Sequence, residues 1–465
     1  MFKKTGPLAL SALFVASAVS AAGVDFDRGR FRLSDMVQPS GVEVPAPSAA
    51  GPGEKVQKEW TIMVFINGKN DLEPYALKDM NEMEMVGSTD KLNIVTQTGR
   101  IDGYDSSDGD WKGVRRYYIE KDADTGKVNS TLAADLGSVD MGDWRSLAEF
   151  GRWAKAAYPA KKYMLIVWNH GSGWEKSGKR RVTKGISYDE ETNNHITTPQ
   201  LGAALAAMGK VDVYGSDACL MQMAEVVYEI KDSADYIVGS EETEPGDGYT
   251  YNTFVGPVAA NPGMSPAELA KVAVDAYSDH YRDERTGSTQ SFLKAALIPR
   301  FTGLVNAWVD AVMAAGLKAE VNQARSAAMD YAISDNKDLH HFVTLVAGKT
   351  QDAAVKARSG ELAAFITRDF VLHNRTNDEP GSGGGGWDDY DDWDYYGGEA
   401  QYLLGDKWGA KEYSDSKGIA VFLPSRATGA AYAQLAWAGA SKWDEFIAWY
   451  SAPDAVAPAP AAPAR

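Results

Sequence analysis

Short, almost wholly apolar runs alternate with helical patterns along the first half of this chain. The run 60–66 reads Trp-Thr-Ile-Met-Val-Phe-Ile, which is typical of a strand buried on both faces. Further runs of this kind are 92–97, 114–119, 163–169, 211–215 and 236–239. The helical patterns between them are 72–86, 146–157, 198–208 and 220–230. Strands that alternate with helices indicate βαβ units, so the sequence predicts an α/β fold with a mostly parallel sheet flanked by helices.

The second half of the chain has a different pattern. Alanine-rich helical segments fill 265–373 and predict an added helical subdomain. The stretch 381–396 is rich in glycine, aspartate and aromatic residues and has neither a helix nor a strand period. After it, 417–423 again predicts a buried strand and 443–450 predicts an amphipathic helix.

The composition limits the chemistry that a site can use. Among 465 residues there is one cysteine, Cys219, so neither an intramolecular disulfide nor an all-cysteine zinc site can form. The net charge of -17 argues against binding nucleic acid or an anionic membrane through bulk charge. It favours a cationic partner or substrate instead.

The N-terminus carries the pattern of an export signal. Two lysines are followed by an apolar run at 8–19 and by the small residues 20–22. A membrane anchor is the alternative, but the run has 12 residues, whereas about 20 are needed to span a bilayer. We therefore expect export to the periplasm or the medium.

Cys219 and His170 each follow a predicted strand. Cys219 is expected at the start of a helix, where the helix dipole would lower the pKa of a nucleophilic thiol; the alternative is a small buried apolar residue. His170 is followed by Gly171 and is expected at the carboxyl edge of the sheet, where sites assemble; the alternative is a turn residue. The order and the 49-residue separation match those of caspases, although Asp217-Ala-Cys219 differs from the caspase signature.

Five stretches of this sequence resemble the clostripain family of secreted cysteine peptidases, which belongs to the same clan as caspases, legumains and gingipains. In chain order they are 60–73, 79–87, 168–171 (Trp-Asn-His-Gly), 217–221 (Asp-Ala-Cys-Leu-Met) and 245–249 (Pro-Gly-Asp-Gly-Tyr), and 418–424 resembles the family's closing strand. The resemblance implies a caspase-like fold in which Cys219 is the nucleophile and His170 the general acid and base. The backbone N–H groups of Gly171 and Cys219 are then the natural oxyanion donors, and this chemistry requires no cofactor.

The resemblance also implies protein or peptide substrates with a basic residue on the amino side of the cut bond, the P1 residue. A pocket for such a residue needs carboxylates, and the matching positions are Asp217 and Asp247. The alternatives are a carboxylate at a helix N-terminus for Asp217 and a turn residue between glycines for Asp247.

The basic stretch 175–184 lies between His170 and Cys219, and family members are commonly activated by cleavage in this region. We expect a cut after Lys179, Arg180, Arg181 or Lys184 that leaves two associated chains; a solvated loop or an anion-binding patch is the alternative. Some relatives depend on calcium, for which Asp102, Asp105, Asp108 and Asp110 or the five aspartates of 388–394 are candidate ligands. An acidic surface loop is the alternative there, because neither stretch has the EF-hand spacing.

These patterns divide the chain into segments and leave two rival functions open. The segments are a signal peptide at 1–22, a linker or pro-segment at 23–58, a caspase-like catalytic region at 59–264, a helical subdomain at 265–375, a glycine-, aspartate- and aromatic-rich loop at 376–400, a closing strand and helix of the catalytic fold at 401–452, and a disordered tail at 453–465. One rival is a catalytically idle binding or adhesion protein on the same fold. The other is a peptidase of the clan with a different P1 preference, such as asparagine or aspartate.

Overall fold

The candidate site lies at the carboxyl ends of the central strands of a nine-stranded sheet. The computed structural model describes residues 57–174, 185–380 and 410–453. Within these residues nine strands form one sheet and four short strands form two small ones. The strands are β1 (Lys58–Gly68), β2 (Leu92–Arg100), β3 (Gly113–Tyr118), β4 (Thr131–Gly137), β5 (Ala160–Trp168), β6 (Ile186–Asp189), β7 (Asn194–Ile196), β8 (Val211–Asp217), β9 (Ala234–Gly239), β10 (Ser288–Lys294), β11 (Asn336–Asp338), β12 (Val371–Asn377) and β13 (Ala420–Phe422).

The strand order of the central sheet is β12-β10-β9-β8-β5-β1-β2-β3-β4. The five strands from β9 to β2 are parallel, and antiparallel strands flank them on both sides. From β1 the chain moves to β2 on one side and then returns to β5 on the other, which makes β1 and β5 the topological switch point. In open α/β sheets, ligands bind beyond the carboxyl ends of the strands at such a point. The predicted α/β architecture is confirmed.

Helices cover both faces of the sheet. They are α1 (Glu73–Glu84), α2 (Trp144–Ala157), α3 (Thr198–Met208), α4 (Ala224–Ile230), α5 (Tyr251–Ala260), α6 (Pro266–Glu284), α7 (Ile298–Ala314), α8 (Lys318–Ala327), α9 (Leu339–Lys349), α10 (Ala353–Phe365), Ala436–Ala440 and Trp443–Ser451. Alternate residues of β1, such as Ile62 and Val64, pack with α1, α5 and α6 in one buried cluster. Phe65 points to the other face and contacts Phe150 of α2. Two-sided burial explains why the strand sequences are almost wholly apolar.

The prediction of an all-helical pattern over 265–373 is wrong, because three strands interrupt it. β10 and β12 extend the central sheet, β11 pairs with β13, and the helix expected over 351–373 gives way to β12 at Val371. β10 begins Ser-Thr-Gln-Ser, and these four side chains are buried. Their partners lie elsewhere in the fold, as in the Ser240–Thr289 and Gln222–Ser291 contacts. A strand that buries polar side chains has no apolar pattern by which it could be recognised.

The predicted strand 417–423 is buried, but it is not part of the central sheet. Its middle forms β13, which pairs with β11 and bridges to Met223 through Ala420. The predicted helix at 443–450 is confirmed. In the described part of the chain, every helix is too short or too polar to cross a bilayer. The predicted signal peptide, nearly all of the linker, and the tail beyond Pro453 lie outside the described residues.

Candidate active site

His170 follows β5 and is held by a carboxylate that the sequence did not predict. Its Nε2 lies 2.7 Å from Oδ1 of Asp71, which comes from the loop between β1 and α1. Burial would raise the pKa of Asp71, but the hydrogen bond and the charge of His170 outweigh it and lower this pKa. This hydrogen bond therefore fixes one ring nitrogen of His170 at the switch point of the sheet.

The loop after β5 lies directly against the loop after β8, because these strands are neighbours in the sheet. Trp168 is in register with Asp217, and Asn169 N–H donates to the Asp217 carbonyl oxygen at 3.2 Å. Two residues further on, a Cβ added to Gly171 would lie 2.5 Å from the Cys219 carbonyl oxygen. Only a glycine permits this approach of the two backbones. The predicted positions of His170 and Cys219 are thus brought to one sheet edge.

Cys219 does not lie at the start of a helix, so this part of the sequence interpretation is wrong. α4 begins at Ala224, and an irregular segment from Ala218 to Met223 precedes it. In that segment Leu220 has a φ of 65°, a sparsely populated conformation that re-aims the chain. The Leu220 N–H is bound by the Glu242 carbonyl oxygen at 3.0 Å. The chain turns at Cys219 through this strained residue rather than through a helix cap.

The thiol of Cys219 faces backbone and carboxylates rather than a helix dipole. The residue is half-buried, and its Sγ accepts the Glu244 N–H at 3.3 Å and lies 3.9 Å from the Glu244 carbonyl oxygen. Burial, followed by the charge of Glu244, raises the pKa of the thiol to about 12. The expected lowering of this pKa is therefore contradicted, and the thiol is protonated at neutral pH in this arrangement.

Asp217 is buried beneath the Cys219 loop. Its Oδ1 accepts the Tyr249 N–H at 3.1 Å, and its Oδ2 accepts the Tyr251 hydroxyl at 2.8 Å. These partners come from the loop before α5 and from its first residue, so Asp217 is not the helix-terminal carboxylate of the alternative interpretation. Burial raises its pKa to about 7. Glu244 and Asp79 add two further buried carboxyl groups with raised pKa values to this cluster.

Asp247 lies near this cluster but is partly exposed, with 44% of its side chain accessible. Its Oδ1 forms a 3.0 Å ion pair with Nζ of Lys78 on α1, and its Oδ2 lies 3.7 Å from His280 Nε2. Lys78 Nζ also lies 3.5 Å from Glu82. An internal cation thus already occupies the carboxylate that the sequence assigned to a basic substrate.

Two consecutive glutamates tie the Cys219 loop to the C-terminal part of the chain. Glu241 accepts the Gly418 N–H at 3.0 Å, and Glu242 accepts Lys411 Nζ at 2.6 Å. The Glu242 backbone also binds the residue after Cys219, as described above. Residues 410–420 therefore contact the segments that hold the Cys219 loop in place.

Two carboxylates of the acidic loop predicted as a possible calcium site bind other groups of the chain. Asp102 pairs with Lys112, and Asp108 accepts the Trp111 indole and the Val128 N–H. Among the described residues, no three histidine, cysteine or carboxylate side chains converge as a metal site. The aspartates of 388–394 and the cleavage candidates Lys179, Arg180, Arg181 and Lys184 lie outside the described residues.

Comparison with known proteins identifies the family. A model of the clostripain family matches residues 64–368, more than half of the chain. The chain belongs to the clostripain family. Clostripain of Hathewaya histolytica is 28% identical over 236 residues, which are 44% of this chain and 43% of clostripain. The match thus spans less than half of that relative.

Two solved structures share the caspase-like fold of this clostripain-family chain. A secreted C11 cysteine protease from Bacteroides thetaiotaomicron, in complex with an irreversible peptide inhibitor, aligns with a TM-score of 0.59 at 21% identity, covering 83% of this chain and 100% of that one. An inactive zymogen C11 protease from Parabacteroides distasonis aligns with a TM-score of 0.58 at 16% identity, covering 83% of this chain and 98% of that one. The predicted family and fold are confirmed.

Sequence reasoning missed three residues of this clostripain-family site. Asp71 and Lys78 follow β1, and Glu244 follows β9, so all three come after strands that end at the edge bearing Cys219 and His170. Asp71 lies inside the family-like stretch 60–73 and Lys78 just beyond it. The sequence therefore offered one signal for these residues, which is that each follows a parallel strand. This signal does not show which acidic or basic residue faces the site.

Proposed function

We propose that this protein is an exported cysteine endopeptidase that cuts peptide bonds after arginine or lysine. Cys219 is the nucleophile and His170 the general acid and base. The observation that carries the proposal is the contact between the two loops at the carboxyl ends of β5 and β8, where Gly171 packs against the Cys219 backbone. Family membership and the export pattern at residues 1–22 support it.

The reaction divides into two steps that these residues can perform. The Cys219 thiol gives its proton to the imidazole, and the thiolate attacks the scissile carbonyl. The imidazolium then protonates the leaving amine, and water hydrolyses the resulting thioester. The Gly171–Ile186 bridge is made by the N–H groups of Ser172 and Ser187. The Gly171 N–H takes no part in it, which suits an oxyanion donor beside that of Cys219.

The preference for arginine or lysine rests on the carboxyl cluster beside Cys219. Asp217 lies two residues before the nucleophile, and Asp247 is partly exposed nearby. Acidic side chains would be repelled by these groups, which disfavours an aspartate preference. Bidentate pairing favours arginine over lysine.

Activation is proposed to follow a cut within 175–184, after Lys179, Arg180, Arg181 or Lys184. The described residues on either side of this segment are joined, because Ser172 N–H donates to the Gly185 carbonyl oxygen at 3.0 Å. A cut between them leaves that contact and the sheet pairing intact. Cys219→Ala expressed alone in a protease-poor host should remain a single chain; if it is still cut, self-processing is wrong.

The experiment that tests the function measures hydrolysis of peptide amides with arginine, lysine, asparagine or aspartate before a fluorogenic leaving group. We expect turnover of the arginine and lysine substrates and none by Cys219→Ala or His170→Ala. Preferred hydrolysis of the asparagine or aspartate substrate would support the rival peptidase. Absence of turnover by protein that has been cut within 175–184 would support the idle binding protein.

A further inference from the structure

Glu244 contacts both Cys219 and the carboxyl cluster that we propose as the P1 pocket. Its backbone N–H binds Sγ of Cys219, as described above, while its side chain lies beside the carboxyl group of Asp217 within hydrogen-bonding reach. Oε1 accepts the Gln290 amide at 3.2 Å. Oε2 is buried, and no N–H or O–H of the described residues donates to it.

Two facing carboxyl groups in a buried site cannot both be ionised without a compensating cation. In the described part of the chain, no lysine or arginine forms an ion pair with Asp217 or Glu244; Lys78 is engaged by Glu82 and Asp247. The other groups around the pair are acids, phenols and an amide, which supply no positive charge. They are Asp79, Glu82, Glu242, Tyr249, Tyr251, Tyr277, Tyr281, Gln290 and the Cys219 thiol.

We propose that Glu244 is a further specificity-determining carboxylate, and that Asp217 and Glu244 share one proton in the empty pocket, which a basic P1 side chain displaces. This inference rests on the proposed function, because it takes the cluster to be the P1 pocket. The net charge of the site does not change, because the guanidinium or ammonium group brings one positive charge and the shared proton leaves to solvent. The buried Oε2 of Glu244 becomes the acceptor for the incoming N–H.

The electrostatics of the pair agree with this geometry. Burial, and then the charge of the partner carboxylate, raise the pKa of Glu244, while burial raises the pKa of Asp217 to about 7. Such a pair titrates as a unit. Around neutral pH the Asp217–Glu244 pair therefore holds a proton that a bound cation can replace. A neutral side chain of the same shape carries no charge that would displace this proton.

The test is isothermal titration calorimetry on Cys219→Ala protein that has been cut within 175–184 by an added protease specific for basic residues and then purified. This protein carries the proposed activation cut and binds peptides without cutting them. The ligands are a short peptide with arginine at P1 and the same peptide with citrulline, which has the shape of arginine without its charge. Titrations at pH 6.5 in buffers of different ionisation enthalpy count the protons released. We expect up to one proton released by the arginine peptide, none by the citrulline peptide, and an arginine affinity that rises several-fold between pH 6 and 8.

A second variant separates a pocket role for Glu244 from a structural one. Glu244→Gln on the same background keeps the shape of the side chain and an acceptor for Gln290, so we expect it to fold. It should bind the arginine peptide about tenfold more weakly, release less than half as much proton, and bind the citrulline peptide as before. The control Asp232→Asn removes an exposed carboxylate and should change nothing.

Three results would overturn the inference. They are arginine binding without proton release, equal release by both peptides, and unchanged behaviour of Glu244→Gln. Hydrolysis after arginine by the unmodified protein would still stand in each case, so this inference can fail while the proposed function holds. If the unmodified protein hydrolyses no basic substrate, the proposed function fails by that separate assay.

Discussion

At the scale of single residues, the Asp71–His170 contact decides which ring nitrogen can exchange protons. When Nε2–H donates to the carboxylate, Nδ1 is the atom that remains to take the thiol proton. Since the pKa of Asp71 is lowered below its ordinary value of 3.8, the carboxylate stays ionised throughout the neutral range. Asp71 is therefore a positioning residue that acts through His170.

We expect Asp71→Asn to reduce kcat by about tenfold to a hundredfold while changing KM little. The amide keeps the size of the side chain but no longer stabilises the imidazolium or enforces one tautomer. Steady-state kinetics on an arginine substrate measures both constants. A change confined to KM would show instead that Asp71 shapes the pocket.

Lys78 offers a second prediction at this scale, because its ammonium group pairs with Asp247. In Lys78→Met this carboxylate is left for the substrate, so KM for an arginine substrate should fall about two- to fivefold, the range expected for a partly exposed ion pair. The kcat should not change. A higher KM would indicate that Lys78 holds Asp247 in its productive position.

At the scale of elements, α4 is anchored to the C-terminal segment by a buried carboxyl group. Glu225 Oε1 accepts the Phe422 N–H at 3.1 Å and the Tyr432 hydroxyl at 2.8 Å. Burial raises the pKa of Glu225 to about 7. Because α4 follows the Cys219 loop, this contact helps to fix where the loop ends.

The raised pKa of Glu225 makes stability depend on pH in a defined direction. The folded state binds the Glu225 proton more tightly than the unfolded state does. The resulting contribution to the free energy of unfolding is complete below about pH 4.5 and is lost as the pH rises from about 4.5 to 7. The shift from 4.5 to about 7 corresponds to about 3 kcal/mol. Relative to the unmodified protein, Glu225→Gln should therefore gain stability on going from pH 5 to pH 8. Denaturant unfolding at both pH values measures this, and a pH-independent difference would contradict it.

The elements that the sequence predicted are those whose burial is apolar. β1, β5 and β8 are predicted from largely apolar runs, and the carboxyl ends of β5 and β8 bring His170 and Cys219 to one side of the sheet. β10 was missed because its buried side chains are polar, and α4 was predicted to begin too early because 220–223 has the same apolar character as the helix. The error over α4 also produced the wrong direction for the pKa of the thiol, since burial and Glu244 act there and no helix terminus does.

At the scale of the whole molecule, the sheet joins both sides of the predicted activation cut. β1, β2 and β5 precede the segment 175–184, whereas β8 and β9 follow it. The β5–β8 pairing therefore crosses the cut. This topology explains how the chain could be cut within 175–184 while the central sheet stays paired.

Protein cut within 175–184 should consequently migrate as one species of full mass under native conditions. It should separate into two fragments only in denaturant. Native and denaturing mass spectrometry of the same sample makes the comparison, with the uncut Cys219→Ala protein as its control. Fragments that separate without denaturant would show that the sheet pairing across β5 and β8 does not hold the molecule together.

The family and the central sheet could be predicted from the sequence because they depend on local patterns. The proposed pocket could not, because it depends on contacts between distant segments. Asp217 and Asp247 were predicted because they occupy positions that match the clostripain family. Lys78 and Glu244 could not be found in that way, because they meet these aspartates only after α1 and the loop beyond β9 are packed together.

The central claim is that Cys219 attacks bonds after a basic residue, and covalent labelling tests it most directly. Because the chain has a single cysteine, a peptidyl chloromethyl ketone with arginine at P1 should add one label by intact mass, on the peptide that contains Cys219. The matched ketone with aspartate should react far more slowly, and His170→Ala should slow the arginine reagent. Equal labelling by both reagents, or labelling at another residue, would contradict the account.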